Sequence, residues 1–184
     1  MNKAIISILG RDRPGIVAAV ARTLTEHMCN IENVTQTMLQ NEFAGIFIVT
    51  MPEGMSAADL HGRMVSSLSA LELHVYSKPC EGGDEDCATE KLEPFVITTK
   101  GPDRKGLVAG ISEEIARHGV NITNLQAVFK GGNDPGENIM IYEVDLPATF
   151  DVRTFTRDLR AKAEALSLEI SIQHRNIFEA LHRV

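Results

Sequence analysis

Two short turns in this 184-residue chain contain the residue types that bind small charged molecules. Residues 10–18 recur as residues 101–109, with glycine, aspartate and arginine at matching places. Each turn follows a strand pattern and precedes a helical pattern, and the free N–H groups of a helix N-terminus favour a carboxylate or another anion. Arg13 and Arg104 are placed to reinforce this preference. The pattern therefore predicts an anion-binding turn in each copy.

The same residues have a second explanation, which the sequence leaves open. Asp12 and Asp103 are good candidates for helix N-caps, because a carboxylate accepts hydrogen bonds from the first backbone N–H groups. Pro14 suits the first turn of a helix. The glycines could serve tight packing alone, and a glycine-rich turn by itself is weak evidence of a site. Local chemistry supports capping and ligand binding about equally.

Asn30 and Asn121 lie at matching positions where the second strand of each copy begins. An Asn amide both donates and accepts hydrogen bonds, so it suits the ammonium or carboxylate group of a small zwitterion. Within one copy, the asparagine and the glycine turn need not lie close together, but two copies joined edge to edge would bring them together. The alternative is that each Asn is a left-handed turn residue after a helix.

The histidines and cysteines do not form a recognisable catalytic or metal-binding motif. His27 and His118 match between the copies and fall near helix C-termini, where a histidine suits the helix dipole. No nucleophile or paired acid is placed by the pattern to work with them. Cys29, Cys80 and Cys87 lack the spacing of zinc ligands. We therefore expect no catalytic residue, metal or cofactor.

The spacing of apolar residues predicts the same six elements in each half of the chain. These are residues 3–10, 14–27, 30–40, 43–51, a helix from about 56 and 71–76, then residues 94–100, 106–118, 121–130, 138–146, 152–165 and 166–173. The order strand, helix, strand, strand, helix, strand is typical of the ferredoxin-like fold. This predicts an α+β protein with two antiparallel four-stranded sheets, each with helices on one face.

The repeat also predicts the domain organisation. We expect a first domain over residues 1–77, an acidic, glycine-rich linker over 78–93, a second domain over 94–174 and a tail over 175–184 with helical spacing of its apolar residues. Two small domains with exposed sheet edges favour a homodimer.

Composition narrows the function class. The net charge is −7 and the basic residues are scattered, which argues against direct binding of nucleic acid. The second strands lack the stacking aromatics of an RNA-binding sheet. No signal peptide opens the chain and no apolar run is long enough to cross a bilayer, so we expect no membrane association and a cytoplasmic location.

The run Asp12-Arg13-Pro14-Gly15-Ile16-Val17, followed by Cys29-Asn30-Ile31, resembles the signature of an ACT domain, an amino-acid-binding regulatory module. The second copy has a looser version, with Lys105 in place of Pro14. Two such modules in a chain of this length resemble the glycine cleavage system transcriptional repressor family. The resemblance implies a sensor that binds a small amino acid, glycine first, between paired modules and acts through a DNA-binding partner protein.

The resemblance also implies which residues hold the ligand. They come from the glycine turn and from the start of the second strand in each copy. The positions are Asp12, Arg13, Pro14, Gly15, Ile16, Asn30 and Ile31 in the first copy, and Asp103, Arg104, Gly106, Leu107, Asn121 and Ile122 in the second. Because Lys105 departs from the motif, we expect the first site to be the stronger.

Two other functions stay open at this point. A similar ACT copy begins formyltetrahydrofolate deformylase, so the chain could be a related regulatory fragment. In that enzyme a hydrolase domain follows, whereas here a second ACT copy does. The other alternative is a structural interaction module whose turns have no ligand.

Overall fold

The computed structural model describes residues 2–80, 91–129 and 138–182, and the chain divides into two compact units, residues 1–87 and 88–184. The predicted linker falls largely outside the described residues. Strand β4 of the first unit continues to Pro79, and strand β5 of the second unit begins at Leu92.

The first unit has the predicted order of elements. They are β1 (Lys3–Arg11), α1 (Ile16–Glu26), β2 (Asn30–Leu39), β3 (Glu42–Thr50), α2 (Ala57–Leu68), a short 3₁₀ turn (Ser69–Leu71) and β4 (His74–Pro79). The strands pair antiparallel in the order β2-β3-β1-β4. Alternate residues of β1, namely Ala4, Ile6 and Ile8, are buried under the helices.

The second unit repeats this arrangement. Its elements are β5 (Leu92–Gly101), α3 (Leu107–Arg117), β6 (Ile122–Phe129), β7 (Asn138–Pro147), α4 (Val152–Ala165), β8 (Glu169–His174) and α5 (Arg175–His182). The strand order is β6-β7-β5-β8. The predicted fold class, two antiparallel four-stranded sheets with helices on one face, is therefore confirmed.

Each unit buries its own core between the helices and one face of its sheet. In the first unit, Phe47 of the central strand β3 packs among Leu24, Leu60 and Met64. In the second, Tyr142 takes the place of Phe47 and is fully buried. Its hydroxyl lies 3.4 Å from the sulfur of Met140, and burial raises the pKa of Tyr142 to about 12.

The two units differ on the opposite face of the sheet. In the second unit, α5 contacts β5 and β8 on this side, and Val96 of β5, which points away from the helical core, is buried. Arg175 at the start of α5 donates a 2.6 Å hydrogen bond to the Glu143 carboxylate of β7. In the first unit the corresponding face exposes Leu9, Ile46 and Tyr76.

The N-caps of α1 and α3 are not the residues that the sequence predicts. Helix α1 begins at Ile16, and its N-cap is Gly15 with φ 95°, so Asp12 is not the N-cap and Pro14 precedes the helix. The backbone N–H of Asp12 donates instead to the carbonyl of Asn41 at 2.7 Å. Gly106 replaces Asp103 as N-cap in the same way, with φ 90°. The prediction was wrong because the chain reaches the helix through a left-handed residue, which favours glycine.

Replacing a closely packed glycine with alanine and replacing a glycine in open space with alanine should change stability in opposite directions. A Cβ at Gly101 would lie 2.9 Å from the Ser167 carbonyl oxygen and 2.8 Å from Leu168 Cδ2, whereas nothing lies within 4 Å of a Cβ at Gly62 inside α2. We expect Gly101→Ala to destabilise the protein by about 1–3 kcal/mol through overpacking. We expect the matched control Gly62→Ala to stabilise it by about 1 kcal/mol, because Ala is the better helix former. Urea unfolding of both variants measures this, and equal effects would contradict the packing at Gly101.

Candidate ligand-binding site

The turn between β1 and α1, residues 10–16, leaves the N-terminus of α1 open. We call it the first corner. Among the residues that the structure describes, no side chain caps this helix, so its first backbone N–H groups are left for solvent or a ligand. The carbonyl of Gly15 already accepts the first helical hydrogen bond, from the N–H of Ala19 at 2.9 Å. The corner therefore presents donors together with the positive end of the helix dipole.

The two glycines of the first corner have different roles. A Cβ at Gly10 would lie 2.8 Å from Leu73 Cδ2, so this glycine allows β1 to pack against the turn before β4. At Gly15, nothing lies within 4 Å of a Cβ position and the positive φ favours glycine. Both explanations drawn from the sequence are therefore present, one at each glycine: packing at Gly10 and an open approach at Gly15.

Arg13 is partly engaged within the protein. Its Nη2 donates to the carbonyl of Leu71 at 2.7 Å and lies 3.9 Å from the Glu72 carboxylate. This contact ties the first corner to the end of the 3₁₀ turn. Arg13 therefore positions the corner as well as contributing positive charge to it.

A cavity of about 440 Å³ lies at the first corner. It is bounded by the corner and the start of α1 on one side and by β2 and β3 on the other. Its lining residues are Asp12, Arg13, Gly15, Ile16, Val17, Ala18, Gln36, Thr37, Met38 and Phe43. The contributions of Gln36, Thr37 and Met38 were not predicted, because only the pairing of Met38 with Phe43 brings that end of β2 to the corner. The cavity combines a carboxylate, a guanidinium and free N–H donors, which suits a zwitterion.

The second corner, residues 101–107, has the same backbone. Gly106 has φ 90° and open space around its Cβ position, and Gly101 packs against Leu168 as Gly10 does against Leu73. A cavity of about 500 Å³ is lined there by residues that include Asp103, Arg104, Gly106 and Leu107. Lys105 also lines it. The backbone conformation, the aspartate and the arginine are thus repeated, and Lys105 adds a positive charge where the first corner has Pro14.

Asn30 and Ile31 lie at the other end of the sheet from the first corner. Asn30 pairs with Thr50, which pairs with Lys3, whereas the corner follows Arg11 at the far end of β1. At roughly 3.3 Å per residue, the length of β1 separates them by about 26 Å. Within the first unit these residues and the corner do not form one site, as the sequence analysis allowed.

The asparagines are not left-handed turn residues. That conformation belongs to Met28 with φ 57° and to Gly119 with φ 71°. Asn30 begins β2, and its amide donates to Glu32 Oε1 at 2.9 Å. Asn121 is exposed and directly precedes Ile122, the first residue of β6. The alternative was wrong because the turn is completed before the asparagine is reached.

A second, apolar groove of about 490 Å³ crosses the exposed face of the first sheet. Leu9, Ile46 and Tyr76 line it together with hydroxyl and amide groups. Among its lining residues there is no carboxylate, lysine or arginine. The first corner is therefore the better candidate for a charged ligand.

The cysteines give no site in the described part of the chain. Cys29 is buried against the core of the first unit, and burial raises the pKa of its thiol. Cys80 is half-buried, and Cys87 lies outside the described residues. In residues 2–80, 91–129 and 138–182, no helix has the length and apolar character needed to cross a membrane.

Comparison with known proteins connects this geometry to a family. The family model described as an ACT domain matches residues 2–75. A UPF0237 protein from Pyrobaculum aerophilum is 45% identical over 96 residues, which are 50% of this chain and 100% of that protein.

Two solved structures match nearly the whole chain in fold. A protein of unknown function from Galdieria sulphuraria has a TM-score of 0.74 at 19% identity, covering 94% of this chain and 98% of that one. A protein assigned as a glycine cleavage system transcriptional repressor has a TM-score of 0.65 at 19% identity, covering 94% and 96%. ACT domains are regulatory modules that bind small ligands. The chain therefore belongs to the ACT-domain family, as its UPF0237 relatives do, and it carries the ACT fold twice.

Proposed function

We propose that this protein is a non-enzymatic amino-acid sensor, with the first corner as its principal binding site. The observation that carries the proposal is the uncapped N-terminus of α1 at Gly15, opening into a cavity that also contains Asp12 and Arg13. An amino-acid carboxylate matches the free N–H groups, and an ammonium group matches the Asp12 carboxylate. The two halves of a zwitterion thus have partners in one cavity.

Glycine is the first candidate ligand. The fold is similar to that of the protein assigned as a glycine cleavage system transcriptional repressor, and the sequence signature resembles that family. For Asn30, Ile31, Asn121 and Ile122, the proposal requires a second copy of the chain, which would bring the start of its β2 or β6 to a corner. Such a pair is consistent with a homodimer, in which exposed sheet edges meet.

We further propose that the signal reaches transcription through a DNA-binding partner protein. A net charge of −7 makes direct tracking of DNA phosphates unfavourable. The regulated genes would be those of glycine metabolism. This part rests on the family resemblance and the charge, and the corner's geometry alone does not require it.

The sensor proposal predicts stabilisation by a small amino acid. A ligand that binds only the folded protein at about 100 times its Kd stabilises it by about 2.7 kcal/mol. We expect glycine, and then serine, to raise Tm by several degrees, with acetate and methylamine as controls for each half of the zwitterion. Differential scanning fluorimetry against single amino acids measures this. If none of the common amino acids raises Tm, the sensor proposal is wrong.

Substitution at matched left-handed glycines locates the site. Gly15, Gly106 and Gly54 all have positive φ and open space around the Cβ position, so replacement by Ala imposes similar backbone strain at each. We expect Gly15→Ala to abolish the ligand-induced rise in Tm, and Gly54→Ala, outside both corners, to keep it. Gly106→Ala reports on the second corner. A full response in Gly15→Ala would move the site away from the first corner.

The transcriptional part requires a test in cells. We expect deletion of the gene to remove glycine-dependent control of the glycine-cleavage genes, measured with a transcriptional reporter. Complementation with the wild type or with Gly54→Ala should restore control, and Gly15→Ala should not. Unchanged glycine control in the deletion strain would contradict this role even where ligand binding is found.

A further inference from the structure

We propose that Glu114, His118 and Asp158 form a binding site for a divalent transition-metal ion such as Zn²⁺. Glu114 and His118 are one turn apart at the end of α3, so their side chains share a face of the helix. Asp158 reaches them from the neighbouring helix α4, which packs against α3. This site is separate from both corners and does not depend on the proposed sensing function.

The distances between the three side chains fit one small cation. His118 Nε2 lies 3.5 Å from Glu114 Oε1 and 3.3 Å from Asp158 Oδ2, and the three ligand atoms all lie within 4.8 Å of one another. A tetrahedral ion with bonds of about 2.1 Å separates its ligands by about 3.4 Å. One imidazole and two carboxylates suit borderline ions such as Zn²⁺, Co²⁺ or Mn²⁺.

The imidazole nitrogen is buried without a hydrogen-bond partner. Nε2 of His118 is inaccessible to solvent, and no described residue hydrogen bonds with it, although two carboxylates are close. The ring is held in place by an edge-on contact with Phe155, with centroids 5.3 Å apart. A fixed, unsatisfied nitrogen aimed between two carboxylates is a polar group that a metal ion would satisfy.

Arginine side chains contact both carboxylates. Arg157 Nε donates a 2.9 Å hydrogen bond to Asp158 Oδ1. Arg117 contacts both Glu114 and Asp158, the latter at 3.2 Å. Its side chain is 60% exposed, so it can turn away into solvent when a metal ion enters.

The internal repeat supplies a comparison within the same molecule. His27 has the same place in the first unit as His118, the C-cap of the first helix. Its neighbours are different: Thr23 is one turn before it, and Arg63 lies across on α2, with Nη1 3.3 Å from His27 Nδ1. Arg63 precedes the buried Met64 as Asp158 precedes the buried Leu159.

Capping of a helix therefore explains a histidine in both units, but it does not explain the acidic pair around His118. No metal site was expected here, because the sequence does not show that Asp158 lies beside Glu114 and His118. The copies share the histidine, whereas the two carboxylates occur only in the second unit. The competing explanation is an ion-pair cluster between α3 and α4 that binds no metal ion.

The two explanations predict different effects of Arg117→Ala on the affinity for Zn²⁺. If Arg117 only completes an ion-pair cluster, Arg117→Ala weakens the cluster and creates no affinity for metal. If it competes with a metal ion for the same oxygens, Arg117→Ala tightens binding of Zn²⁺.

The test is a Zn²⁺ titration of the full chain by competition with a chromogenic chelator. A Cys80→Ser/Cys87→Ser background removes two thiols that could also bind Zn²⁺. We expect Asp158→Asn and Glu114→Gln, which keep side-chain shape, each to weaken binding at least tenfold, Arg117→Ala to tighten it, and the control His27→Ala to leave it unchanged. Circular dichroism confirms that each variant is folded. Equal Zn²⁺ affinity in the parent and Asp158→Asn, or no tightening in Arg117→Ala, would overturn the proposal.

Discussion

The close approach of β1 and β5 to the turn before the last strand of each unit is the constraint on which the rest of the structure depends. A Cβ at Gly10 would lie 2.8 Å from Leu73 Cδ2, and a Cβ at Gly101 would lie 2.8 Å from Leu168 Cδ2 and 2.9 Å from the Ser167 carbonyl oxygen, so either would force its neighbour to shift. This contact fixes where the central strand ends, and hence where the chain must turn to begin its helix. The left-handed Gly15 and Gly106 complete that turn five residues later. An open helix N-terminus is the geometric consequence, and it occurs in both units because the packing constraint does.

The fold could be predicted from the sequence because its signals are local and repeated. Alternating apolar residues in β1 and helical spacing in α1 each follow from short windows, and the repeat supports every element twice. The helix cap was missed because a carboxylate three residues before Gly15 fits the same local pattern as a true cap. The inclusion of Met38 in the cavity, and the distance between Asn30 and the corner, depend on strand register. Register is a long-range property that periodicity does not contain.

The two copies share the backbone conformation of their turns and differ in the charges of several side chains. Both corners have a left-handed glycine, yet Pro14 is replaced by Lys105. Both first helices end at a histidine, yet that histidine faces Arg63 in one unit and Asp158 in the other. One sheet face is covered by α5 while the other exposes Leu9 and Tyr76. Glycine positions are set by φ and close contact, which few substitutions satisfy, whereas surface charges change at little cost in stability. A duplicated module can therefore acquire a second site without losing its fold.

In the second unit, the corner and the proposed metal site lie at opposite ends of one helix. Gly106 is the N-cap of α3 and His118 its C-cap. An anion at the first end and a cation at the second both interact favourably with the helix dipole. At 1.5 Å per residue, the 11 residues of α3 hold the two charges about 16 Å apart. Direct Coulomb coupling between a divalent cation and a single negative charge at that distance is about 2 kcal/mol at an effective dielectric constant of 20, or roughly a thirtyfold change in affinity. Any stronger coupling between the sites would require α3 to move against α4, since these helices share the metal ligands.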